Sequence, residues 1–177
     1  LRNRRGRKYP KPYATAYLIS TEPGIQAVVY RLSYDYLNCR PPRTGKKAIL
    51  YISHHSSDAE LRNEPELENL IAQNPNVPFY TFDVRGIGES RPDTCNQDSF
   101  LDYYGSDYFY AIHSIMLNRP YVGQKTYDII RVLDWLKSVG HEDIHLVAKG
   151  WGTIPATFAA VLNEQIDKVT LINALSS

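Results

Sequence analysis

The stretch HLVAKGWGTIPATFAAVL, residues 145–162, carries the reading of the fold. Leu146, Val147 and Ala148 form a short apolar run of the kind a strand shows when it is buried on both faces. Gly150 and Gly152 then bracket Trp151, and TIPATFAAVLNE has the composition of a packed helix. The segment therefore predicts a strand that turns sharply into a helix. The residue at the apex of that turn is Gly150.

The rest of the chain repeats the alternation. KAILYISHH, from Lys47, is a second continuous apolar run, and VPFYTFDV is a third. ELRNEPELENLIAQN predicts a helix whose start is delayed to Pro65, a residue favoured in a first helical turn. SDYFYAIHSIML is a second helix candidate. GQKTYDIIRVLDWLKSVG is the strongest one, because Ile129, Ile130, Leu133 and Leu136 share one face and Gly140 supplies the stop. KVTLINA predicts a last strand. Upstream, two β-rich runs at 13–20 and 25–33 flank the turn residues Glu22-Pro23-Gly24, predicting an antiparallel pair. The order is β-β, then β-α-β-α-α-β-α-β. It predicts an α/β fold: a mostly parallel sheet with helices on both faces and an N-terminal antiparallel strand pair. The last strand runs almost to Ser177, so the expectation is the N-terminal part, six strands long, of a larger domain.

Composition narrows the function classes. Across 177 residues the net charge is +1, which argues against a general polyanion binder. The basic residues are uneven, with Arg2, Arg4, Arg5, Arg7, Lys8 and Lys11 on the first twelve residues and no acid among them. Residues 1–12 are expected to be a solvated arm, and residues 13–177 the folded domain; a nucleic-acid or membrane contact is the sharper reading of that arm and is not adopted. No apolar run reaches the ~18 residues of a membrane span. No apolar segment follows the basic start as in a secretory signal, and the compartment is left open. Cys39 and Cys95 are too few for a disulfide scaffold and are expected as free thiols.

DVRGIGES, residues 83–90, directly follows a buried strand. It lacks the third glycine of a dinucleotide fingerprint and the lysine of a P-loop, so a phosphate cradle is not expected. Asp83 is placed to accept hydrogen bonds from the turn that follows it. The frame Ala148-Lys149-Gly150-Trp151-Gly152 has the small flanks of the G-x-S-x-G nucleophile elbow, in which the central side chain stands exposed. A plain strand–helix turn with glycines for close packing reads the same residues. Ser53, Ser56, Ser57 and Ser90 lie near the expected C-terminal edge of the sheet, but none has a histidine set beside it by motif. His54 and His55 share that loop, whereas His141 and His145 fall at the opposite edge and His113 on a helix face. A metal site needs three convergent ligands, and HHSSD offers at most His54, His55 and Asp58 locally, so no metal and no cofactor is expected. Tyr103, Tyr104, Tyr108 and Tyr110 are either an aromatic wall for sugar rings or half-buried tyrosines with wet hydroxyls.

With DVRGIGES and the turn at 148–152 in this order, the chain resembles the α/β-hydrolase superfamily from about Tyr13 to Ser177. Through DYFYAIHSIMLNRPYVGQKTYDIIRVLDWL it looks most like the acetyl xylan esterase-like carbohydrate esterases. The resemblance implies that Gly150 occupies the nucleophile position. It also implies an oxyanion hole built from the Trp151 backbone N–H and a second N–H at His55 or Ser56. The acid and histidine of that fold follow later strands and would lie beyond Ser177. The ligand it implies is a carbohydrate ester or other small molecule, and the rest of the domain or another chain would complete the sheet. Two functions follow: an ester hydrolase relative with glycine in place of serine, or a non-catalytic scaffold that binds a carbohydrate or a protein partner.

Overall fold

The computed structural model describes residues 2–5, 8–37, 40–43, 45–91 and 108–175. Cys39, Cys95, Tyr103 and Tyr104 lie outside them. Seven strands form one sheet in the order β1-β2-β3-β5-β4-β6-β7. They are β1 (Arg2–Arg5), β2 (Tyr13–Glu22), β3 (Ile25–Ser33), β4 (Lys47–Ile52), β5 (Phe79–Phe82), β6 (Asp143–Lys149) and β7 (Ile166–Ile172). Neighbouring strands from β5 through β4 and β6 to β7 are parallel, whereas β1, β2, β3 and β5 pair antiparallel in turn. This is the expected mixed α/β sheet. One strand differs from the sequence reading: Arg2–Arg5 pairs with Tyr13–Ala16 as an edge strand, where a solvated arm was expected. Lys11 is likewise buried. Backbone pairing needs no alternation of apolar side chains, so the basic composition of the arm concealed it.

The helices are α1 (Ser57–Asn63), α2 (Pro65–Gln73), α3 (Tyr108–Met116), α4 (Tyr121–Ser138) and α5 (Thr153–Leu162). Pro65 does not delay one helix but begins a second. The α1 helix already starts at Ser57, capped by the Ser56 hydroxyl, and Glu64 is the extended residue between the two helices. Alternate residues of the strands feed two cores, one on each face of the sheet. Leu50, Ile52, Tyr80, Phe82 and Leu146 pack against Ile129, Val132, Leu133 and Leu136 of α4 and against Ala156 and Ala159 of α5. Ile49, Tyr51, Phe79 and Val147 pack on the other face against Leu61, Leu67 and Ile71 of α1 and α2. Because Ile52 aligns with both Phe82 and Ala148, the loops after β4, β5 and β6 meet at one edge of the sheet.

The opposite edge holds a buried histidine. His141 Nδ1–H donates to the Gly45 carbonyl (2.9 Å), leaving Nε2 to accept from the Tyr80 hydroxyl (3.0 Å). Burial, with the Arg31 charge, keeps its pKa below the ordinary imidazole value. The unfolded chain then takes up a proton that the folded chain refuses, so stability falls as pH drops through about 6.5. The urea midpoint is expected to be lower at pH 5.5 than at pH 7.5, with a smaller difference in His141→Gln. A midpoint that holds or rises on acidification would contradict this neutral, doubly bonded imidazole.

Candidate functional site

Asp83 organises the loop edge. It is 3% exposed and stands immediately after β5. Its carboxylate accepts from the Ser53 hydroxyl (2.8 Å), the Ser57 N–H (2.7 Å) and the Glu89 N–H (2.9 Å). Its carbonyl accepts from the Ser90 hydroxyl (2.8 Å). One carboxylate thus fastens the end of β4, the start of α1 and the DVRGIGES turn. The approach is close enough that Gly88 is required: φ is +50°, and a Cβ there would sit 1.9 Å from Asp83 Oδ2. Two residues on, Arg85 forks onto Asp128 of α4 through Nε (2.8 Å) and Nη2 (2.5 Å) and reaches Glu22 of the β2–β3 hairpin (2.8 Å). The motif read as a glycine loop is therefore a junction of three elements.

The serines at this edge take part in that junction. Ser53 and Ser57 are buried, with Ser53 bonded to Asp83 and Ser57 accepting from Thr81 Oγ1 (2.9 Å). Ser56 caps α1 through the Ala59 N–H, and Ser90 returns to the Asp83 carbonyl.

The β6 strand ends in a 3-10 turn at Gly150–Gly152 that runs straight into α5. Gly150 stands at its apex with φ +51°, a left-handed conformation that favours glycine. His54, in the loop after β4, lies over this glycine. A Cβ on Gly150 would be 2.3 Å from His54 Nδ1 and 2.7 Å from its Cγ, so the imidazole fills the volume a side chain would need. Nδ1 also accepts a 3.0 Å hydrogen bond from the Trp151 N–H. That bond requires Nδ1 to be unprotonated. Burial, with the neighbouring His55 charge, lowers the His54 pKa and favours the neutral ring. The two histidine rings are packed at 3.7 Å between centroids.

The other backbone donors named from the sequence also have acceptors. His55 N–H donates to Glu60 Oε1 (2.9 Å), and Ser56 N–H points at the same oxygen (3.4 Å). His54 N–H joins them at 2.9 Å, and the Tyr51 hydroxyl bonds Oε2 at 2.5 Å. Glu60 is thus a buried carboxylate held in a concave row of N–H groups, the arrangement that proteins use to bind anions. The fold brings Gly150, Trp151, His55 and Ser56 to one edge of the sheet. It also brings His54 and Glu60, whose roles the sequence reading did not identify. A signal for Glu60 was present: an acid early in a helix that follows Ser56-Ser57 can reach back to the preceding N–H groups.

The Trp151 side chain is 59% exposed beside this arrangement. A groove of about 480 Å³ opens by the β2–β3 hairpin, lined by Thr21, Glu22, Arg119, Gln124 and Tyr127 among others; it shares no lining residue with the Gly150 turn. Tyr108 packs edge-on against Phe109, and Tyr110 lies 6.2 Å from the Tyr121 ring. Among the described residues, no group of three His, Cys, Asp or Glu side chains is placed to hold a metal ion.

No family model and no curated protein matches the sequence. Solved structures do match. The chain superposes on a protein assigned as an acetyl xylan esterase from Bacteroides fragilis with a TM-score of 0.66 and 19% identity, covering 96% of this chain and 46% of that one. An acetyl xylan esterase from Paenibacillus sp. R4 gives a TM-score of 0.56 at 19% identity, covering 88% and 52%. An esterase from Pyrococcus furiosus gives 0.55 at 16% identity, covering 86% and 48%. The chain has the α/β-hydrolase fold, and it spans about half the length of these neighbours.

Proposed function

We propose that this chain is a relative of the carbohydrate acetyl-ester hydrolases in which Gly150 stands at the nucleophile position, so that the elbow carries no serine-type ester hydrolysis. The observation that carries this reading is the His54 imidazole, which lies where a nucleophilic side chain would stand, with Nδ1 2.3 Å from an ideal Cβ on Gly150. Loss of a triad nucleophile costs about a million-fold in turnover in a well-studied serine protease. The remaining help in such a site comes from backbone oxyanion donors. Here the N–H of Trp151 is committed to His54, and those of His55 and Ser56 face Glu60.

These commitments favour the non-catalytic form of the reading: a hydrolase-like scaffold that keeps the cleft edge for a carbohydrate or protein partner, with Trp151 as its exposed aromatic surface. In this reading the outer edge of β7 is where the rest of the domain or another chain completes the sheet.

The test is hydrolysis of 4-nitrophenyl acetate and of acetylated xylan by the purified chain, together with labelling by a fluorophosphonate. Turnover is expected at the solvent background, with no label incorporated. Hydrolysis that the fluorophosphonate abolishes would overturn the proposal, and the labelled residue would identify the working nucleophile.

A further inference from the structure

At the sheet edge opposite Gly150, positive charge is buried with no counter-charge among the described residues. Arg31 of β3 is 6% exposed and Lys11, which precedes β2, is 4% exposed. Among the described residues, neither side chain has a carboxylate partner. Arg31 Nε and Nη1 are enclosed and make no hydrogen bond. Its contact is with the Tyr80 ring, whose centroid lies 5.8 Å from the guanidinium carbon. The Lys11 ammonium makes one long bond, 3.5 Å to the Pro75 carbonyl, and sits over the Tyr34 ring. Strand register adds a third unused group. Thr15, Arg31 and Tyr80 are direct cross-strand neighbours on β2, β3 and β5, and the buried Thr15 hydroxyl likewise has no partner among the described residues.

An unpaired buried cation is strongly unfavourable even after relaxation. Two that repel each other cost more, and burial together with Arg31 lowers the Lys11 pKa accordingly. The adjacent His141 gives no relief, because it is neutral and both its ring nitrogens are engaged, with Gly45 and Tyr80. What is missing is an acceptor with negative charge and several oxygens. A guanidinium fork with a hydroxyl directly across the strands forms a donor set suited to a small oxyanion.

We propose that Arg31 and Thr15 form the donor set of a binding site for a small oxyanion, a phosphate or a carboxylate group, at the N-terminal edge of the parallel strands. The site is independent of the elbow and does not rest on the reading of Gly150. Arg31 supplies the fork and Thr15, its cross-strand neighbour, a hydroxyl donor. The anion joins β2 and β3.

The experiment is thermal unfolding of the full chain in chloride buffer, then with inorganic phosphate or acetate at constant ionic strength. Melting is expected to rise saturably with at least one of them, by about 3–5 °C at ten times its dissociation constant. Phosphate acting alone assigns a tetrahedral anion, and acetate acting as well assigns a carboxylate group. Arg31→Met is expected to remove the response and to melt no lower than the unsubstituted chain in chloride, because it deletes an unsatisfied charge and keeps the bulk. A flat response to both anions, an equal rise in Arg31→Met, or a loss of stability on Arg31→Met in chloride alone would each overturn the site.

Discussion

Asp83→Ala is expected to destabilise the chain by about 3–5 kcal/mol, the largest effect of any single change at the loop edge. The carboxylate is buried and receives three hydrogen bonds, from Ser53, Ser57 and Glu89. Two of these donors are backbone N–H groups that a shorter side chain leaves unpaired, and each such loss costs about 1–3 kcal/mol. Asp83→Asn keeps the shape but turns one acceptor into a donor facing an N–H, so about 2–3 kcal/mol is expected. Ser53→Ala removes a single hydroxyl donor and should cost about 1 kcal/mol. The ordering is read from urea midpoints at pH 7.5. An Asp83→Asn protein within about 0.5 kcal/mol of the unsubstituted chain would mean that the junction is held elsewhere, with the Arg85–Asp128 pair as the nearest candidate.

The same junction shows why parts of this structure could be read from the sequence. KAILYI, FYTF and DIHLVAK are strands buried on both faces, so their apolar runs are continuous and recognisable. The α4 stripe of Ile129, Leu133 and Leu136 was equally visible because helical periodicity lies within one segment. Gly150 and its flanks were recognisable because strand, turn and helix are contiguous there. The pairing of His54 with Trp151 was not, because the two residues are 97 positions apart and meet only through the β4–β6 register. Arg31 and Lys11 were missed for a related reason. A lone Arg in a strand reads as solvent-facing until the sheet and the Tyr80 ring bury it. Charge counting along the chain assigned the basic arm to solvent, while backbone pairing drew it into the sheet.

Gly150→Ser is expected to destabilise the chain by about 2–4 kcal/mol and to do so through His54. Part of that cost, about 1–2 kcal/mol, is the left-handed backbone, where φ is +51° and any Cβ is strained. The rest comes from the imidazole, which must leave its place 2.3 Å from the new Cβ and give up the Trp151 N–H bond, worth about 1 kcal/mol. The two parts separate in a double-mutant cycle. His54→Ala alone should cost about 1 kcal/mol, because Trp151 is exposed and water can take over its N–H. In the His54→Ala background, Gly150→Ser should cost only its backbone share, giving a favourable coupling of about 1–2 kcal/mol between the positions. Gly150→Ala should behave as Gly150→Ser does, because the collision begins at Cβ and not at the hydroxyl. Additive costs would show that the imidazole moves aside freely and is no barrier to a nucleophile. The serine variant is also an assay of chemistry, since its hydroxyl would stand beside the only imidazole bonded to the elbow among the described residues. Ester hydrolysis gained in Gly150→Ser and lost again on His54→Ala would turn the occluding ring into a base, and Gly150 alone would then separate this elbow from a working one.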